Sequence, residues 1–183
     1  SHSATLIEKG KTVALDRGLL LDPDPVARLR SAGLLAASNR TQLAAGIFET
    51  DTGEILFDAK GKRLVVGTAR TIAFVQRAGN AQSGPVELIG LSGPATVAVS
   101  ALDSEPIGDS RRLLVWVLTD AANTGMEFAD PERSTLVKLG EFPPRLRPVT
   151  GRLSIKNRNA GTFKVWAIDQ TGRRVAAIPV VAE

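Results

Sequence analysis

Hydrophobic and polar residues alternate with period two over most of the chain after Gly46, and turn-forming residues interrupt the alternation at short intervals. Period two places successive side chains on opposite faces of an extended segment, so the pattern predicts half-buried strands. Candidate strands are 54–58, 63–66, 71–77, 86–91, 96–102, 113–119, 135–139, 145–149, 152–156, 162–169 and 174–181, all rich in Val, Ile, Leu and Thr. Asp58-Ala59-Lys60-Gly61-Lys62 and Asp169-Gln170-Thr171-Gly172-Arg173 each offer a glycine for the positive φ of a tight hairpin. Leu113-Leu114-Val115-Trp116-Val117-Leu118 has no alternation, which predicts a central strand covered on both faces, with Trp116 in the core.

The first 45 residues read differently. Residues 6–21 are mixed, with Lys11-Thr12-Val13-Ala14-Leu15 suited to an edge strand. Asp22-Pro23-Asp24-Pro25 then stops one element and starts a helix. Asp24 is suited to N-cap, and proline at the first helical position gives up no needed N–H. Val26, Leu29 and Ala32 supply an apolar stripe, and Gly33 suits a left-handed end, with the apolar run 34–37 as a possible extension. The fold class expected is all-β: a β-sandwich, immunoglobulin-like or jelly-roll-like, with one short N-terminal helix. In domain terms, residues 1–3 read as a cloning scar, 4–45 as an N-terminal extension and 46–183 as the sandwich.

Composition narrows the chemistry. The chain has 183 residues, no cysteine, no tyrosine and a single histidine, His2, inside the presumed scar. Disulfides, thiolate or histidine metal sites and Ser-His or Cys-His nucleophiles are thereby excluded for this chain alone. The missing export signal carries no weight beside a scar at the N-terminus. No apolar run approaches the ~20 residues of a membrane-spanning helix, so no membrane association is expected.

Catalysis would have to rest on carboxylates, Lys, Arg, Ser or Thr; the carboxylates are weighed first. Asp51 with Glu54, Asp103 with Glu105, and Asp120 with Glu127, Asp130 and Glu132 are the available groupings, and solvated loops account for them more simply. Asp120, Asn123 and nearby carbonyls offer oxygen donors for calcium, but the spacing is not that of a calcium loop; Asn123-Thr124-Gly125 reads as a turn. The net charge of +4 is uneven: residues 133–174 hold ten Lys or Arg against Glu141 and Asp169. A basic stretch of this kind suits the wet face of a sheet first and an acidic polysaccharide second. Nucleic acid is the weaker partner, because Phe163 and Trp166 are almost the only aromatics there. Trp166, with Lys164 on its face, suits core or interdomain packing first and a sugar platform second. The candidate binding residues are Trp166, Lys164, Arg152 and Asn123; no catalytic residue, metal or cofactor is assigned.

Four segments in order carry a family resemblance: Glu49-Thr50-Asp51-Thr52-Gly53-Glu54-Ile55 with Val66-Gly67-Thr68-Ala69-Arg70-Thr71; 101–107 followed by Ser110-Arg111-Arg112-Leu113-Leu114-Val115; Ala122-Asn123-Thr124-Gly125-Met126; and Val165-Trp166-Ala167-Ile168-Asp169 with Gly172-Arg173-Arg174. Together they resemble the C-terminal β-sandwich that follows the catalytic barrel in a group of bacterial glycoside hydrolases of the cellulase-like superfamily. The chain departs from that pattern at Asp120-Ala121-Ala122, where a glutamate is expected before Asn123, and at Trp166, which stands for a tyrosine. The resemblance implies a non-catalytic domain that packs against, or positions glycan for, a barrel in the same parent chain. It also implies an extracellular or periplasmic setting. The alternative is an autonomous carbohydrate-binding module, suited to acidic polysaccharide. Apolar groups at Leu19-Leu20-Leu21 and Leu34-Leu35 lead to a further expectation, weak two-fold self-association of the isolated domain.

Overall fold

The computed structural model describes residues 4–8, 11–15, 24–131 and 133–180. It divides into two compact units, Ser1–Lys60 and Gly61–Glu183. The described residues are all-β apart from one short α-helix and a 3-10 turn, as the alternation predicts. No helix among them is long and apolar enough to cross a membrane.

In the first unit, β1 (Ala4–Glu8) pairs antiparallel with β2 (Lys11–Leu15), the latter where the sequence suggested an edge strand. The helix α1 (Pro25–Ser31) begins as expected: Asp24 Oδ1 accepts from Ala27 N at 2.9 Å, and Pro25 opens the first turn. It ends without the extension over 34–37. Gly33 takes φ +70°, and the N–H groups of Leu34 and Leu35 fold back to the Leu29 carbonyl. Leu34 and Leu35 are half-buried; Leu19-Leu20-Leu21 lie outside the described residues. β3 (Ile47–Glu49) and β4 (Ile55–Asp58) form a hairpin on which the Phe48 and Phe57 rings stack at 6.2 Å.

The second unit contains the core. One sheet includes, in order, β10 (Leu113–Leu118), β9 (Ala95–Ala101), β6 (Thr71–Gln76) and β5 (Arg63–Gly67); the other is β15 (Arg152–Ile155), β8 (Val86–Leu91) and β7 (Gly79–Ser83). Ile72 and Phe74 of β6, Val97 and Val99 of β9, and Val86, Leu88 and Leu91 of β8 belong to one buried cluster, so the two sheets close as a sandwich. The alternation is visible residue by residue, since Ile72, Phe74 and Gln76 are buried while Thr71, Ala73 and Val75 are less so. A Cβ at Gly67 would lie 2.4 Å from Ser83 Oγ, so a side chain there would require that hydroxyl to turn away. Ile107, from the β9–β10 loop, is fully buried in the same cluster. Asn157 holds that loop, its Nδ2 donating to the carbonyls of Ile107 at 2.5 Å and Ser110 at 3.0 Å.

Two expectations need correction. Leu113–Leu118 forms β10 at an edge, bonded among the described strands to β9 alone, and its last four residues are exposed. Trp116 lies opposite Ala98, on the face turned from the cluster residues Val97 and Val99, and stays 36% exposed. A continuous apolar run reports what a strand is able to bury, and its position in the sheet follows from pairing. In the turn after β4, Lys62 and not Gly61 takes positive φ.

The remaining strands form three small antiparallel pairs. β11 (Ala121–Thr124) pairs with β14 (Glu141–Leu146), β12 (Glu127–Phe128) with β13 (Leu136–Lys138), and β16 (Val165–Ile168) with β17 (Arg174–Ile178). None of these residues is buried. Gly140, at φ +74°, is required between β13 and β14: a Cβ there would lie 2.6 Å from both Met126 N and Thr124 O.

Candidate functional site

The four candidate binding residues fall on three different sheets. Asn123 is in β11, and its Nδ2 donates to the Leu139 carbonyl at 3.1 Å, tying the turn after β13 to β11. Arg152 opens β15, opposite Ile89 of β8, and is exposed. Lys164 and Trp166 belong to the last hairpin, and they alone among the four are sequence neighbours. Trp166 is 38% exposed, with the Arg174 guanidinium 5.2 Å from its ring centroid. That cation occupies the π-cloud a sugar ring would use on that side.

The basic segment is spread over β13, β14, β15 and β17, on four separate sheets. Several of its charges are neutralised locally. Arg158 pairs with Asp109 at 3.0 Å, and Lys138 approaches Glu127 at 3.7 Å. Arg145, Arg152, Lys156, Lys164 and Arg173 have no ion pair among the described residues. The face is wet and positive, without a single focus.

The strongest charged cluster is one that local sequence spacing does not reveal. Asp120, just after β10, accepts Arg147 Nε on Oδ1 at 2.6 Å and Arg147 Nη2 on Oδ2 at 3.1 Å, and Arg133 Nη1 shares that Oδ2. The Arg147 hydrogen bond, with the charges of both arginines, holds the Asp120 carboxyl below the usual carboxylate value against the opposing effect of partial burial. The Asp120 oxygens weighed as calcium donors are therefore already engaged by guanidinium groups. Arg133 and Arg147 are 13 and 27 residues away, separations that carry no motif.

Other shifted carboxylates are turn-builders. Asp103 accepts from Arg111 N at 2.9 Å and Glu105 N at 3.2 Å, and these donors lower its pKa. Asp130 accepts from Ser134 Oγ at 2.6 Å and from the Ser134 and Thr135 amides. Asp169 accepts from Thr171 Oγ1 at 2.7 Å and from Arg173 N, closing the β16–β17 turn. Both are lowered by these hydrogen bonds, led by Ser134 and Thr171. In the first unit, burial works to raise Glu49, but the hydrogen bonds and charge of Arg40 outweigh it and leave the group lowered. A general acid needs the opposite, a carboxyl held protonated near neutral pH. Asp51 and Glu54 are exposed around the β3–β4 turn.

One depression of about 390 Å3 lies in the second unit, lined by Gly67, Thr68, Ser83, Pro85, Pro106 and Gly108 among others. Small apolar and hydroxyl groups line it, with no charged or aromatic side chain to bind or activate a substrate.

These features define the class plainly: an all-β protein whose second unit is a sandwich flanked by small, exposed hairpins. No family model, curated protein or solved structure matches the chain.

Proposed function

We propose that this chain is the non-catalytic β-sandwich domain of a larger carbohydrate-active enzyme, a glycoside hydrolase, and that it packs against the catalytic barrel or positions glycan for it. The observation that carries the reading is the apolar surface of the second unit. Phe142 is 87% exposed, Leu146 74% and Val137 65%, alongside exposed Leu139, Val175 and Ile178. Isolated exposed hydrophobics are ordinary, but so many on three small strand pairs with no buried residue suit a domain that meets a neighbour. Contacts between domains of one chain remove roughly 600–1,500 Å2 from water. The ordered segments around Asn123-Thr124-Gly125-Met126 and Trp166 support the same reading through their family resemblance.

The test has two arms. The reading frame that encodes this chain should also encode a (β/α)-barrel upstream, and the isolated chain should cleave no glycan. Hydrolysis by the isolated chain, abolished in Asp51→Asn or Asp103→Asn, overturns the proposal.

A second reading, autonomous carbohydrate binding, draws on Trp166 beside Lys164 and on the uncompensated Arg152. It requires retardation of the chain in gels containing polysaccharide, relieved by Trp166→Ala. Retardation by acidic glycans alone, lost in high salt, would assign the binding to charge and not to stacking.

A further inference from the structure

The first unit is not held as the sandwich is. From residue 24 to residue 60 only Val26 and Asn39 are buried, so little apolar core joins its elements. Polar groups take that role. Arg30 Nη2 of α1 donates to the carbonyls of Asn39 at 2.6 Å and Thr41 at 3.0 Å, while its buried Nε has no partner among the described residues. Asn39 Nδ2 donates to the Thr50 carbonyl at 2.9 Å. Thr41 Oγ1 accepts from Glu49 N at 3.0 Å and donates to the Glu49 carbonyl at 3.2 Å. Residues 39–41 therefore tie α1 to β3.

Glu49 closes the tie. Its side chain is 5% exposed, and its carboxylate accepts three N–H groups of Arg40: the backbone amide at 2.5 Å on Oε2, then Nε at 2.8 Å and Nη2 at 2.5 Å on Oε1. An ionised carboxylate so far from water is stable only while such donors face it. We propose that Glu49 is an acid-operated latch: its protonation releases residues 39–41 from β3, and helix α1 with them, while the sandwich stays folded.

A neutral carboxyl accepts more weakly and leaves the Arg40 guanidinium without its counter-charge. Among the described residues Arg40 is the cation paired with Glu49. The other charges on the elements around it are Arg28 and Arg30 of α1, the exposed Asp51 and Glu54 of the β3–β4 turn, Asp58 opposite Ile47, and Lys60, which donates to the Ala44 carbonyl. Burial works to raise Glu49, but the Arg40 bonds and charge leave its folded pKa below the ordinary 4.5. The latch is thus fully closed above that value and opens as pH falls through the lower, folded one. It is independent of the carbohydrate reading.

The test is amide protection on the intact chain, corrected for the pH dependence of intrinsic exchange, at neutral pH and at about pH 3. Acid should lower protection in 26–31 and 39–41 several-fold, by up to about tenfold for each unit that the folded pKa lies below the ordinary one. β6, β8 and β9 should keep theirs. Glu49→Gln should show the loss already at neutral pH, with no further loss in acid. Arg40→Met should remove the acid effect or reverse it, because burial then raises the carboxyl and protonation favours the closed form. Equal protection of 39–41 at both pH values in the wild-type chain, or an acid loss as large in Glu49→Gln, overturns the proposal. So does loss of protection in β6, β8 and β9 together with 39–41, which would make the acid effect global unfolding.

Discussion

The sandwich and the small hairpins of the second unit are written in the same residue types, yet they are held in different ways. In the sandwich, Ile72, Phe74, Val86, Val99 and Ile107 are at most 2% exposed, and strands far apart in sequence share one cluster. In the β11–β14 and β16–β17 pairs no residue is buried, and order rests on turns, ladder hydrogen bonds and surface charge. Asp169 builds one turn, Gly140 permits another, and Asp120 fastens Arg147 beyond the end of β14. Alternation alone therefore identifies a strand without identifying what covers it. Burial carries most of the stabilisation available to a fold, while exposed ion pairs contribute little. The two regions should respond differently to every perturbation.

The largest effect is expected in the core. Phe74→Ala removes a fully buried ring between the two sheets and should destabilise the chain by about 3–5 kcal/mol, measured as a shift of the urea midpoint. A change below about 1 kcal/mol would show that the cluster around Phe74 does not hold the sandwich. Next comes Asn157→Ala, which leaves the Ile107 and Ser110 carbonyls without their side-chain donor. It should cost about 1–3 kcal/mol, with faster amide exchange concentrated in the loop from 106 to 112. Exchange unchanged in that loop would remove Asn157 from the role assigned to it.

Smaller effects belong to the hairpins. Asp120→Asn should cost well under 1 kcal/mol globally, because the ion pairs are about one-third exposed, but should speed exchange in β11 and β14. The same cluster sets a pH dependence. Asp120 has a folded pKa below its ordinary 3.8, so its contribution is complete above that value and is lost as pH falls through the lower, folded one. Acid below about pH 4 should therefore loosen β11–β14 before the sandwich, and Asp120→Asn should abolish that difference. The smallest effect is Arg174→Ala: the Trp166 emission should shift as the cation leaves its ring, with a stability change of about 0.5–1 kcal/mol or less.

Much of this fold is legible in the residues, and the exceptions have physical causes. The Asp24 cap, the Asp169 turn and the strands of the core follow from local chemistry. β7 escapes notice because Gly, Asn, Gln and Ser have no strand preference; pairing with β8 makes it a strand. β14 begins at Glu141 and not at Arg145, because its prolines hide an edge strand that needs few donors. Edge or centre is undecidable for Leu113–Leu118 from its own letters, since pairing depends on segments elsewhere. The site is less legible still. Asn123 and Trp166 stand out by residue type, but the Asp120 cluster is assembled by folding from residues with no common spacing.

Amide hydrogen exchange resolved to peptides, on the isolated chain and on the longer polypeptide that the proposal requires, tests the accessory-domain account most directly. The account predicts that β11, β14, β16 and β17 exchange quickly in isolation and gain protection in the longer protein, while β6, β8 and β9 are slow in both. Equal exchange of the hairpins in the two proteins would contradict it, because their apolar faces would then meet no neighbouring domain.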